Sequence, residues 1–282
     1  MSAVDTTLLP PAPTGAAADF ARAHAASHPL KLYGGWFCPF VQRAWIVLHE
    51  LGLKHQYIEV NPYHKAPEFL ALNPRGLIPT LAVPDDLPPL YESAVICEFL
   101  DEAYGEEGDK ALLPRGKGVE GAYDRAHCRL WIDHVGGKIV PAFYRLLQHT
   151  PGKEYTLEDA RGNLRGHILT FTREMMKEDT GPWFLGERFS LVDVMLAPWA
   201  KRLFLIDHYK DGGTGIPGEG MGGEDEEVWK RWRSWFEAVR TRPSVLETWS
   251  DDEMYIKAYK RYADDTTQSE VAKATRRGEK LP

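Results

Sequence analysis

Leu30-Lys31-Leu32-Tyr33-Gly34-Gly35-Trp36-Phe37-Cys38-Pro39-Phe40-Val41-Gln42-Arg43-Ala44-Trp45 is the stretch whose reading decides the fold. Leu30 to Tyr33 alternates apolar and polar residues as a short strand does. Gly34, Gly35 and Trp36 then make a loop. From Val41 the apolar residues Ala44, Trp45, Leu48 and Leu51 recur with the period of an amphipathic helix. Gly52 is placed to end that helix in a left-handed conformation. Pro39 suits the first helical turn, where its missing N–H costs nothing. Cys38 therefore falls at or beside the N-cap. There, unpaired backbone N–H groups and the positive end of the helix dipole favour a thiolate over a thiol. Arg43, about one turn along, either adds to that potential or points to solvent.

Working outward, a second strand is expected at Gln56-Tyr57-Ile58-Glu59-Val60, and a short helix at Pro67 to Leu72. Strands follow at Thr80-Leu81-Ala82-Val83 and Leu90-Tyr91, and Ser93 opens a helix with Val95, Ile96, Phe99, Leu100 and Ala103 on one face. The order is β-α-β-α-β-β-α, so the first two strands pair through a helical crossover. After Tyr104 the strand signal ends. Helical patterns run from Tyr123 to Gln148, Leu157 to Glu178, Leu191 to Ile206, Glu226 to Arg240 and about Asp251 to Tyr262. Between them, the glycine-rich and acidic stretch from Lys210 to Glu224 reads as a mobile surface loop. These readings divide the chain into a disordered extension (1–28), a small α/β domain (29–106), a linker (107–120), an all-helical domain (121–264) and a polar, fraying tail (265–282).

The 282-residue length agrees with two domains. A net charge of −7 with no basic stripe excludes nucleic acid as a partner. No apolar run approaches the roughly 20 residues of a membrane span, and the N-terminal stretch lacks the pattern of a signal peptide. The three cysteines, Cys38, Cys97 and Cys128, are odd in number and far apart, which points to a reducing, cytoplasmic setting rather than a disulfide framework. Position 41 is Val, so no second thiol completes a C-x-x-C pair. Cys97 and Cys128 read as packing residues. Neither their spacing nor His127 and His134 suggests a metal site.

Two further junctions carry chemistry. In Asn73-Pro74-Arg75-Gly76-Leu77-Ile78-Pro79-Thr80, a proline precedes a strand that should be central. It is either an ordinary strand-start proline or a cis proline, the latter leaving the Ile78 backbone open to an extended peptide ligand. Tyr91-Glu92-Ser93-Ala94 is a strand-to-helix turn. It is either a simple cap or a grip for an α-amino acid end, with Ser93 and helix N–H groups meeting the carboxylate and Glu92 the ammonium.

Together these elements resemble the cytosolic glutathione transferase superfamily, and within it the omega or omega-like class. Phe37-Cys38-Pro39-Phe40 is similar to that class's cysteine site. Asn73 to Pro79 and Tyr91 to Tyr104 are similar to its two glutathione-binding motifs. Phe189-Ser190-Leu191-Val192-Asp193 with Ala197-Pro198-Trp199 is similar to the capping box and buried helix of its C-terminal domain. That box also has a physical reading, since Ser190 and Asp193 are spaced to cap reciprocally. The resemblance covers about Leu30 to Tyr262, and the glycine-rich insert near Gly212 departs from it.

The resemblance implies a thioredoxin-like glutathione-binding domain, an all-α C-terminal domain and a homodimer. It implies glutathione as co-substrate, with no metal, and a small hydrophobic or glutathionylated second substrate. By the same token Cys38 carries the reactive sulfur, and Phe40 adds backbone or packing contacts to the tripeptide. Lys65 meets the glycine carboxylate, Ile78 before cis-Pro79 pairs with the cysteinyl part, and Glu92 and Ser93 hold the γ-glutamyl end. Tyr144 and Trp235 are expected in a second-substrate pocket. The implied activity is glutathione-dependent thiol transfer and reduction, of the deglutathionylation and dehydroascorbate type. Aryl-ether cleavage or xenobiotic conjugation on the same fold is the first alternative, and a non-catalytic ligand-binding protein the second.

Overall fold

The computed structural model describes residues 11–62, 64–85, 87–105, 110–178 and 180–281. The first part of the chain runs α1 (Gly15–Ala23), β1 (Lys31–Gly34), α2 (Pro39–Glu50), β2 (Gln56–Glu59), α3 (Pro67–Leu72), β3 (Thr80–Ala82), β4 (Leu90–Tyr91) and α4 (Ser93–Tyr104). The rest is helical. It comprises α5 (Gly118–His134), a π-helical turn (Val135–Ile139), α6 (Val140–Leu147), α7 (Leu157–Met175), α8 (Leu191–Lys201) and α9 (Leu203–Tyr209). After these come α10 (Glu226–Thr241), α11 (Pro243–Glu247), α12 (Asp252–Ala263) and α13 (Glu270–Arg277).

The strands form one mixed sheet in the order β2-β1-β3-β4. β1 pairs parallel with β2, with Leu32 opposite Tyr57, and antiparallel with β3, with Leu32 opposite Leu81. A parallel pair needs a crossover, and α2 supplies it. Phe40 apart, α2 is buried from Pro39 through Leu48, and its Trp45 stacks on Tyr57 of β2 with ring centroids 4.2 Å apart. This is the α/β plan expected from the βαβαββα order, and the thioredoxin-like domain that the resemblance implies.

The chain forms two compact units, and their division departs from the expected one. The α/β unit takes the described residues up to Leu112 and also Thr241–Ala258; the helical unit takes Leu113–Arg240 and the residues from Tyr259. The returning segment is tied to α2 by polar contacts. Arg242 makes a two-pronged ion pair with Glu50 at 2.6 and 2.7 Å, and Gln42 donates to Thr248 Oγ1 at 3.2 Å. A further correction concerns the first 28 residues. Residues 1–10 lie outside the described residues, but 15–23 form a helix rather than a disordered lead. Alanine favours helix intrinsically, and the returning segment holds this one in place. Ala17 N–H donates to Trp249 C=O at 3.2 Å, and Thr14 N–H to Ser250 Oγ at 3.1 Å.

Within the helical unit, the single helix expected from Tyr123 to Gln148 is interrupted by the π-helical turn at Gly136 and Gly137. The glycine-rich stretch after Lys210, expected as a mobile loop, is pinned from below. Arg161 donates to the Gly213 carbonyl at 2.9 Å, and the Asp207 carboxylate accepts from Thr214 N–H at 2.8 Å. The tail expected to fray instead holds α13. Ser269 Oγ caps it by accepting from Ala272 N–H at 3.2 Å, and Gly278 closes it at φ 66°.

The capping box of α8 forms as read. Asp193 is fully buried and takes four donors: Ser190 N–H at 2.9 Å, Ser190 Oγ at 2.7 Å, Phe184 N–H at 2.9 Å and Trp235 Nε1 at 2.8 Å. Burial pushes its carboxyl upward, and these hydrogen bonds pull it back. Among the described residues no helix is long and apolar enough to cross a membrane.

Candidate active site

Cys38 is the N-cap of α2, with extended backbone (φ −83°, ψ 118°) and Pro39 in the first turn. Its N–H donates to Gly35 C=O at 2.9 Å and its C=O accepts from Gln42 N–H at 3.1 Å, so the loop closes directly into the helix. The three thiols differ in their surroundings. Cys38 is half-buried, whereas Cys97 and Cys128 are buried and burial pushes each of their thiols up to about 12. Only Cys38 combines access to solvent with a helix N-terminus, where exposed N–H groups favour an anion.

Ile78 and Pro79 are joined by a cis peptide bond. β3 begins only at Thr80, and among the described residues the Ile78 N–H and C=O take no hydrogen-bond partner. The loop is organised by Asn73, which is buried. Its Nδ2 donates to Leu77 C=O at 3.1 Å and Thr80 Oγ1 at 3.0 Å, and its Oδ1 accepts from Arg75 N–H at 3.1 Å. The Ile78 side chain reaches the cysteine loop: a Cβ on Gly35 would lie 3.1 Å from Ile78 Cδ1 and 2.9 Å from the Phe37 ring. Any side chain at 35 would have to displace the Phe37 ring and the tip of Ile78. Lys65 lies across the same motif, with its Nζ 2.9 Å from where a Cβ of Gly76 would stand. Phe40 is half-buried, and the Arg43 guanidinium sits 5.4 Å from its ring centroid.

The second motif also comes to this side of the α/β unit. Glu92 is the N-cap of α4 and holds φ 70°, ψ 113°, a conformation that costs a non-glycine residue on the order of 1–3 kcal/mol. Its carboxylate accepts from Arg75 Nη1 at 2.7 Å in an exposed pair. Ser93 opens α4, and its hydroxyl accepts from the buried Arg43 at 3.2 Å. Arg43 thus turns inward rather than to solvent.

Two of the expected site residues belong to the helical unit and are both buried. Trp235, expected to line a pocket, is instead a core residue. Its indole is committed to Asp193, and its ring packs on Trp232 with centroids 4.9 Å apart. Tyr144 on α6 lies against Tyr262, centroids 5.6 Å apart.

One residue the sequence reading left in a strand comes into view here. Glu59 ends β2, and its carboxylate accepts from Trp36 N–H at 3.0 Å and from Tyr57 Oη at 2.7 Å. Burial pushes this carboxyl up to about 7, against the downward pull of those two bonds. The signal was a carboxylate two residues from Tyr57, hence on the same strand face as an apolar side chain. Among the described residues, no cluster of three or more His, Cys, Asp or Glu side chains could hold a metal ion.

A cysteine-headed helix, a cis-proline loop and a helix opening at Ser93 on one thioredoxin-like sheet, with a helical unit in the same chain, make up the two-part plan of the transferase fold. Family models agree: residues 37–103 match the N-terminal domain of glutathione S-transferase and residues 139–238 its C-terminal domain. The chain belongs to the glutathione S-transferase family, and within it to the omega or omega-like class. Glutathione S-transferase omega-1 of Sus scrofa is 32% identical over 63% of this chain and 68% of that protein. Pyrimidodiazepine synthase of Drosophila melanogaster is 27% identical over 80% and 82% of the two chains. Among solved structures, glutathione transferase Omega 3C from Trametes versicolor is similar at 39% identity and a TM-score of 0.71, covering 86% of this chain and 99% of that one.

Proposed function

We propose that this chain is a glutathione-dependent thiol transferase in which Cys38 is the nucleophile. The observation that carries the reading is the placement of Cys38: the N-cap of α2, half-buried, beside the cysteine-loop glycine that meets Ile78. The Cys38 thiolate attacks the glutathione sulfur of a mixed disulfide R–SG, forming Cys38–SG and expelling R–S⁻. A second glutathione, as thiolate, attacks the Cys38–SG sulfur. Oxidised glutathione leaves, Cys38 is again a thiolate, and the proton lost by that glutathione balances the one R–S⁻ takes up. The net change is R–SG plus glutathione to R–SH plus glutathione disulfide, at rates governed by thiolate fraction and access.

In this reading the Ile78 backbone pairs with the cysteinyl part of glutathione in the manner of an added strand. The first turn of α4, with Ser93, receives the γ-glutamyl carboxylate, and Glu92 receives the ammonium. Lys65 meets the glycine carboxylate, and Phe40 packs beside the tripeptide. Tyr144 remains the candidate for second-substrate contact, and Trp235 is withdrawn from that role. A homodimer and a cytosolic setting, usual for the family, belong to the same proposal.

The test compares wild type with Cys38→Ser in glutathione-dependent reduction of a small mixed disulfide, with conjugation to an aryl halide followed alongside. Reduction by wild type alone supports the cysteine mechanism. Conjugation by both proteins and reduction by neither makes glutathione end on carbon and removes Cys38 from the chemistry. Binding of glutathione without either reaction favours a ligand-binding protein.

A further inference from the structure

We propose that Glu59 is a positioning residue for Cys38: it holds the loop that presents the sulfur, and its negative charge, once formed, opposes the thiolate. The proposal rests on the reading of Cys38 as the reactive sulfur. Both backbone groups of Trp36, two residues before Cys38, are tied. The N–H donates to Glu59 Oε1 at 3.0 Å, and the C=O accepts from Tyr255 Oη at 3.4 Å. From Trp36 the chain turns through the Cys38 N–H to Gly35 C=O bond at 2.9 Å into α2. Glu59 is itself fixed by the sheet, since it lies opposite Gly34 and Val60 N–H donates to Gly34 C=O at 2.6 Å.

Tyr57 links the two groups as well. Glu59 Oε2 accepts from Tyr57 Oη at 2.7 Å, and Tyr57 is buried under Trp45. Burial, then the charge on Glu59 and the charge on Cys38, hold the Tyr57 phenol well above its ordinary range. The phenol therefore lies within electrostatic reach of both the sulfur and the carboxyl. The titratable group in contact with Glu59 is Tyr57 on β2, and around that phenol stand Cys38 at the head of α2 and Tyr255 on α12. The ionisation of Glu59 is set by burial and by the bonds from Tyr57 and Trp36, and lies at about 7. Near neutral pH the carboxyl changes charge. While it is neutral the thiolate is unopposed; once it is ionised, a like charge disfavours the thiolate. The thiolate population of Cys38 then rises less steeply with pH than that of an isolated thiol, because two coupled groups titrate together.

The test is the pH profile of iodoacetamide alkylation of Cys38 in the full chain, located by peptide mass, for wild type, Glu59→Gln and Glu59→Ala. Glutamine keeps an acceptor for Trp36 N–H and removes the charge. The expected result is a broadened wild-type profile that sharpens in Glu59→Gln, with its midpoint lower by at least about half a pH unit, a threefold change in thiolate fraction. Glu59→Ala should also lower the plateau rate, and equal plateaus for Ala and Gln overturn the loop-holding part. If Glu59→Gln does not fold, Tyr57→Phe reads the same coupling. It removes a bond that lowers the Glu59 carboxyl, so the inflection should move to higher pH. Profiles that superimpose on wild type overturn the charge coupling. Alkylation needs no turnover, so the two readings fail separately. A coupled profile without mixed-disulfide reduction defeats the proposed activity alone, and reduction with superimposed profiles defeats the coupling alone.

Discussion

Replacing Asp193 by alanine should be among the most destabilising single changes in the helical unit. The carboxylate is fully buried and accepts from two backbone N–H groups, one hydroxyl and the Trp235 indole. Removing it strands those donors where water does not reach. An orphaned buried donor costs roughly 1–3 kcal/mol, and a lost N-cap partner adds about 1 kcal/mol. The contributions are not additive, because the Ser190 hydroxyl can turn to another acceptor; the expected total is about 4 kcal/mol, a large share of the roughly 5–15 kcal/mol that holds a protein folded. Asp193→Asn keeps one acceptor oxygen but turns an NH₂ toward the Ser190 donors, and should cost about 2 kcal/mol. Ser190→Ala, which loses only the cap side chain, should cost about 1 kcal/mol. Urea unfolding followed by circular dichroism at neutral pH measures all three. An alanine variant within about 1 kcal/mol of wild type, or milder than Ser190→Ala, would refute the assignment of Asp193 as the hub of this core.

Other outcomes follow from single observations. Gly121→Ala should lose roughly 1–3 kcal/mol despite alanine's helix propensity, since the new Cβ would lie 1.9 Å from the Gly116 carbonyl oxygen; a thermal melt that rises contradicts this. The Glu59 carboxyl, raised in the fold to about 7 from an ordinary 4.5, keeps its proton where the unfolded chain has lost it. Stability from this group therefore falls as pH rises from about 4.5 to about 7, by up to about 3 kcal/mol, and is level above. Glu59→Gln should remove that slope in unfolding midpoints measured across the range. Cys97 and Cys128, both held as thiols by burial, should not react with a thiol reagent in the native protein near neutral pH. One equivalent should react folded and three unfolded, and a second fast thiol in the native state contradicts the burial.

What the sequence made legible was local. Strand alternation at Leu32 and Tyr57, the Cys38-Pro39 helix start and the Ser190/Asp193 box each depend on residues a few positions apart, and all form as read. What escaped depends on distant partners. Helix α1 is held by Trp249 and Ser250, more than two hundred residues away, so its composition alone read as a disordered lead. Residues 241–258 return to the α/β unit through the Arg242 ion pair on Glu50, which no periodicity reveals. Trp235 carried the right residue type for a pocket, but its indole answers a buried carboxylate forty-two positions away. Within the site, Cys38, Ile78, Pro79, Glu92 and Ser93 were all visible as junction residues. The Arg43–Ser93 bond and the Glu59 carboxyl under Trp36 needed the packing of α2 and the register of β2.

The measurement that bears most directly on the account is the mass of the protein after brief exposure to glutathione disulfide, followed by peptide mapping and then by added glutathione. The account predicts one glutathione bound through a disulfide at Cys38, released by the added thiol with formation of oxidised glutathione, and no adduct on Cys38→Ser. An unmodified Cys38 in a protein that still turns over glutathione would contradict it.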